Sequence, residues 1–132
     1  MRFRRFVVEG ESMLPTLSPG DFVIGGRVDS VAPGDVVAFQ HPERPGFWLI
    51  KRVIAAAGVV DLDAGTLDGR RYVDAHRVPE VESGRFDVPA GTMFVLSDNR
   101  RSTRSDSRRF GAVPIDVVYR VGSRYWPRPR RI

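Results

Sequence analysis

A mainly β domain, built as a compact antiparallel β-barrel or sandwich with little helix, is the fold this sequence predicts. Three observations predict it. Short apolar runs are separated by Gly, Pro and Asp turn signals. Two similar turns, Ser18-Pro19-Gly20-Asp21 and Pro33-Gly34-Asp35, each lead into such a run. One Asp-Gly pair, Asp68-Gly69, divides two short segments in the manner of a hairpin turn.

The elements follow in order. Phe22 to Ile24 and Val36 to Phe39 are strands after the two similar turns. His41 to Gly46 is a loop, because two prolines and a glycine break any ladder. Phe47 to Ala57 is the longest strand, and Asp68-Gly69 joins Thr66-Leu67 to Arg70–Val73. Val88 to Gly91 turns into a strand over Thr92 to Leu96. Ser97 to Arg109 is a polar, arginine-rich loop or short helix, Val117 to Trp126 is the last strand, and residues 127–132 form a basic tail. Helical turns are allowed only at Pro15–Leu17, Ser102–Ser107 and Pro114–Val118. No linker divides the chain, so residues 1–132 read as a single domain.

Composition narrows the chemistry. There is no cysteine, which excludes disulfides, thiolate metal sites and cysteine nucleophiles. Two separated histidines, His41 and His76, make a histidine-rich metal site a poor reading, and no metal or cofactor is expected. The net charge is +5, yet no nucleic-acid motif accompanies the scattered arginines, so no nucleic-acid partner is expected. No run approaches the roughly 20 apolar residues of a membrane span. The expectation is a cytoplasmic or peripherally membrane-associated protein. Phe6, Tyr125 and Trp126 beside Arg124, Arg128, Arg130 and Arg131 would make an interfacial patch; a packed terminal strand with a solvated tail is the preferred reading.

Of the 21 basic residues, only Lys51 is lysine. Arginine keeps its proton in a protein, whereas a desolvated lysine can lose one. Strand alternation puts Lys51 in a row with Phe47, Leu49 and Val53, while Trp48, Ile50, Arg52 and Ile54 share the other face. Burial there lowers the amine's pKa and makes it a competent general base. Alone, such a lysine is a strand-edge side chain with a solvated head. A partner is available in Ser12, which lies between Gly10 and Pro15 in a plausible tight turn. A serine needs an adjacent base to attack, and donors for the developing oxyanion.

Four segments together resemble one family. Ser12-Met13-Leu14-Pro15-Thr16-Leu17 resembles the S-M-x-P-T-L nucleophile box of type I signal peptidases. Pro33 to Phe39 is similar to that family's G-D-x-V-x-F strand, and Lys51-Arg52-Val53 to its K-R-V base box. Asp98-Asn99-Arg100 through Ser105-Asp106-Ser107-Arg108, then Phe110-Gly111, resembles its polar box. The resemblance implies a signal-peptidase-like β-fold and a serine endopeptidase that cleaves leader or signal peptides after small residues. It implies a Ser12–Lys51 dyad, and a preprotein substrate docked as an extended strand. It gives Asp106 and Arg108 bracing roles, with Asp98 of the D-N-R string beside them, and Gly10 the place of a residue that in some relatives is an oxyanion-donating serine. Ser102, Thr103 and Ser105 are all candidates for the hydroxyl that orients the lysine, Thr103 slightly favoured.

The chain also departs from the pattern. Ser97 replaces the usual glycine before D-N-R and the polar box is one residue longer; the expectation is a short member without the anchor that typical members carry before the serine box. Two alternatives remain open. One is a dedicated maturation protease of a single partner, of the nickel-type superoxide dismutase kind, although Gly58 to Gly91 is long for that group. The other is an inactive β-domain that binds peptides or anionic surfaces. The oligomeric state is not readable.

Overall fold

The computed structural model describes residues 2–132. Its strands in chain order are β1 (Phe3–Val7), β2 (Phe22–Val28), β3 (Val36–Gln40), β4 (Trp48–Ala55), β5 (Gly58–Asp61) and β6 (Thr66–Leu67). There follow β7 (Arg70–Arg71), β8 (Arg85–Val88), β9 (Thr92–Leu96), β10 (Val113–Pro114), β11 (Val118–Trp126) and β12 (Arg130–Arg131). Helix is confined to a 3-10 turn at Pro79–Val81 and the short α1 (Ser107–Phe110), among the described residues.

The strands form two antiparallel sheets. The larger runs β1-β2-β11-β3-β4-β9-β10, with β12 on β11, and the smaller runs β7-β6-β5-β8. The end strands of the larger sheet do not pair with each other, so the fold is an open, sandwich-like β structure rather than a closed barrel.

Packing follows from the apolar runs. The central β3 is buried at four successive residues, Val36 to Phe39, as a strand covered on both faces must be. Val36 and Ala38 pack with Phe6, Met13, Leu17 and Tyr119 on one side. Val37 and Phe39 pack with Val53, Val95 and Val118 on the other. A third cluster joins Ile54, Phe94 and Leu96 to Val60, Leu62 and Val88, which fixes the small sheet against the large one. Asp68 (φ 51) and Gly69 (φ 81) both take the left-handed backbone that a tight two-residue hairpin requires.

Several expectations change. The segment Phe3–Val7 is a strand, paired in register with Phe22–Gly26. Its phase was hidden because Arg4 and Arg5 interrupt the alternation; Arg4 instead lies over the Trp48 ring at 4.5 Å. Phe6 is buried and packs against Trp48 at 5.3 Å between ring centroids, so it takes no part in the alternative surface patch. Tyr125 and Trp126 stay exposed. The basic tail folds back, pairing Arg130 and Arg131 with Arg124 and Ser123. Pro114–Val118 holds the end of β10 and the start of β11 rather than a helical turn. α1 begins only at Ser107, because the Asp106 carboxylate caps it by accepting from the Arg108 N–H at 3.0 Å. No helix among the described residues is long and apolar enough to cross a membrane.

Candidate active site

Ser12 sits in the hydrogen-bonded turns between β1 and β2. Met13 and Leu17 are buried in the core, and they pin the segment while leaving Ser12 half-buried. The turns close through Leu14 N–H to Glu11 O at 3.2 Å and Leu17 N–H to Met13 O at 2.9 Å. Gly10 enters them at φ 71, and nothing lies within 4 Å of where its Cβ would be. Its left-handed backbone suits glycine, and the space beside Ser12 stays open.

The D-N-R string clasps this segment from behind. The Asn99 N–H donates to Ser12 O at 2.8 Å, and Asn99 Nδ2 donates to Glu11 O at 3.0 Å. The Asp98 N–H approaches Met13 Sδ at 3.4 Å. The Asp98 carboxylate accepts from Thr16 Oγ1 and from both Nε and Nη2 of Arg52 at 2.8 Å, with His76 Nε2 3.5 Å away. One carboxylate therefore ties the serine segment, the strand carrying Lys51 and the small-sheet connection together.

Lys51 lies in β4 on the face that strand alternation assigns it, with buried Val53 and half-buried Leu49. It is only 2% exposed. Burial pulls its pKa down from 10.5 to about 8; Asp106 and Asp98 pull it upward, and Arg108 pulls it down. Nζ donates to Ser97 Oγ at 3.0 Å. Two clefts, of about 450 and about 350 Å³, meet here, and both are lined by Ser12 and Lys51. The larger runs between Arg5–Glu9 and Gly46–Ile50. The smaller is bordered by Glu9–Glu11, Arg44 and the hydroxyl-bearing Ser102, Thr103 and Ser105.

Asp106 and Arg108 are buried and paired with each other, Nη2 to Oδ2 at 2.8 Å. Burial works against the Asp106 charge, but hydrogen bonds from Arg108 and the Ser97 N–H hold its carboxyl below the usual range. Arg108 also donates to Arg100 O at 2.9 Å and to Thr103 O at 2.5 Å, so it braces the whole polar loop.

The hydrogen bond of Lys51 does not go to the expected hydroxyls. Ser102 Oγ donates to Asn99 O at 3.0 Å, and Thr103 Oγ1 accepts from the Ser105 N–H at 3.0 Å. The lengthened loop turns on itself and satisfies these groups locally, while Ser97 meets the amine. The sequence carried a signal for this. β4 and β9 pair Arg52 with Leu96 and Val53 with Val95, and one more step of that register sets Ser97 opposite Lys51. Also unforeseen is the buried Arg100, whose Nη1 reaches Asp74 at 2.8 Å and Glu82 at 2.9 Å. Among the described residues, no group of three or more His, Asp or Glu is placed to hold a metal ion.

Known proteins are similar to this chain over most of its length. The family model described as signal peptidase, peptidase S26, matches residues 1–126. Signal peptidase I of Bacillus caldolyticus is 32% identical over 149 residues, covering 95% of this chain and 80% of its own length. Signal peptidase IB of Staphylococcus aureus (strain Mu50 / ATCC 700699) is 31% identical over 150 residues, covering 92% and 77% respectively. The chain belongs to the signal peptidase, peptidase S26, family.

Proposed function

We propose that this protein, a serine endopeptidase by its family, cleaves N-terminal leader peptides with Ser12 as nucleophile and Lys51 as general base, residues 1–132 forming one catalytic unit. The observation that carries the reading is a buried amine, the chain's sole lysine, lining the same clefts as the Ser12 hydroxyl, with its pKa lowered to about 8.

The chemistry follows from that pairing. The neutral Lys51 Nζ takes the Ser12 Oγ proton as Oγ attacks the scissile carbonyl carbon. The C–N bond of the tetrahedral intermediate then breaks, and the Lys51 ammonium returns the proton to the leaving amine. Lys51 next takes a proton from water, whose oxygen attacks the ester carbonyl, and Ser12 Oγ leaves with that proton. The Ser12 backbone N–H is the proposed oxyanion donor, with Gly10 giving the substrate carbonyl room. Asp98, Asp106 and Arg108 hold the walls.

The larger cleft suits an extended peptide. On one side β1 is the end strand of the sheet, and on the other β4 pairs with β9 only from Arg52 onward, so Trp48–Lys51 keep one ladder edge unpaired. A peptide between these edges adds main-chain hydrogen bonds, and its alternate side chains enter the cleft. Partly buried Trp48, Leu49 and Ile50 narrow that space, in keeping with small residues before the cleaved bond.

The test is cleavage of a synthetic leader peptide with alanine at the first and third positions before the scissile bond. Purified protein is expected to cut it once, while Ser12→Ala and Lys51→Arg fold and do not cut. Arginine cannot supply a neutral base. An active Lys51→Arg variant overturns the general-base assignment.

A further inference from the structure

We propose that the Ser97 hydroxyl, held in a buried frame by Arg100 and Asp106, is the positioning group that aims the Lys51 amine at Ser12; this rests on the dyad reading above.

A neutral lysine amine has one lone pair, and an otherwise unrestrained –NH₂ group rotates freely. General-base work at Ser12 needs that lone pair turned toward the serine and the N–H groups held elsewhere. Ser97 Oγ accepts one of them at 3.0 Å. Ser97 is 0% exposed, so no bulk water stands ready to replace its hydroxyl.

The serine is itself clamped from two sides. Its N–H donates to Asp106 Oδ2 at 2.9 Å, and its carbonyl accepts from Arg100 Nε. Both clamps are ion-paired inside the protein, Asp106 with Arg108 and Arg100 with Asp74 and Glu82. Asp74 and Glu82 come from the segment between β7 and β8. The small sheet thus reaches the base through Arg100 and Ser97. The loop hydroxyls of Ser102, Thr103 and Ser105 stay on the cleft wall that a substrate would meet.

The experiment compares wild type, Ser97→Ala and Ser97→Thr on the leader peptide between roughly pH 6 and 10, with Ser12→Ala and Lys51→Arg alongside. Lys51 is also titrated directly by NMR of lysine-labelled protein, where a single lysine gives a single signal. Ser97→Ala removes an acceptor from the ammonium form, so the titration and the acid limb of activity are expected to move below the wild-type midpoint. The plateau kcat is expected to fall roughly 10- to 100-fold with KM within about twofold, and Ser97→Thr to restore most of it. A serine that merely fills space would, on removal, leave the limb in place. A loosened, rehydrated core would move it up toward the ordinary lysine range. Either result, or a Ser97→Ala kcat within about twofold of wild type, overturns the proposal. If Ser12→Ala or Lys51→Arg also cuts, the dyad reading itself has failed.

Discussion

Asp98 grips Arg52 with two parallel hydrogen bonds, Nε to Oδ1 and Nη2 to Oδ2, each 2.8 Å long. The pair sits one residue from each member of the Lys51–Ser97 contact, on the opposite face of β4. The two contacts thus act as a stitch through adjacent strands, one face structural and the other facing the cleft.

Breaking that stitch should cost stability before chemistry. The Asp98 side chain is fully buried, whereas that of Arg52 keeps 21% exposure, which screens part of the interaction. Asp98→Ala removes acceptors for Arg52 and Thr16, and a loss of about 2 kcal/mol is expected in urea unfolding. Arg52→Lys keeps the charge but loses the planar fork, so about half that loss is expected. An Arg52→Lys variant as stable as the wild type would show that the charge, rather than the fork, matters.

Activity should follow the protonation of Lys51. Its pKa is lowered to about 8 because burial disfavours the ammonium. Below that value the amine is charged and cannot take the Ser12 proton. The kcat/KM for the leader peptide should therefore rise by roughly tenfold per pH unit on the acid side and level off above about 8. A profile already flat at pH 6 would remove Lys51 from the role.

The parts of this molecule that were legible in the sequence share a property: they are local. Alternation alone placed Lys51 on the apolar face of β4, and the Asp68-Gly69 pair alone gave its hairpin. β1 was not legible, because its pairing with β2 and not its own pattern makes it a strand. Ser97 was visible only as a departure from glycine, since its meaning needs the register between β4 and β9. Arg100 looked like one more solvated arginine. Its burial depends on Asp74 and Glu82, which no spacing rule connects to it.

Removing the Lys51 charge should stabilise the fold near neutral pH. Unfolded lysine keeps its proton to about 10.5, and folded Lys51 keeps it only to about 8. Between those values the unfolded chain binds more protons, so stability contributed by this residue rises with pH and is absent below the window. At pH 7 the ammonium is buried at a penalty, and Lys51→Met should gain on the order of 2 kcal/mol, discounted for the lost Ser97 contact. Denaturation at pH 7 and pH 10 checks this: the gain should shrink at the higher pH. An equal gain at both would point to packing.

The buried arginine gives the sharpest ranking of substitutions. Arg100 donates to both oxygens of Asp74, at 2.8 and 3.0 Å, but to only one oxygen of Glu82, at 2.9 Å. Glu82 Oε1 is buried without a hydrogen-bond partner, so its charge is poorly served already. Asp74→Asn turns one of two acceptors into a donor facing a guanidinium, which is repulsive. Glu82→Gln can keep Oε2's place for its carbonyl and put the amide where nothing was bonded. Asp74→Asn is therefore expected to lose about 3 kcal/mol and Glu82→Gln about 1. Arg100→Met leaves two buried carboxylates without their cation and should exceed both. Because Arg100 also holds the Ser97 carbonyl, the kcat of the three variants should fall in the same order as their unfolding midpoints. A variant that loses stability while keeping kcat would separate the small sheet from the positioning of Lys51.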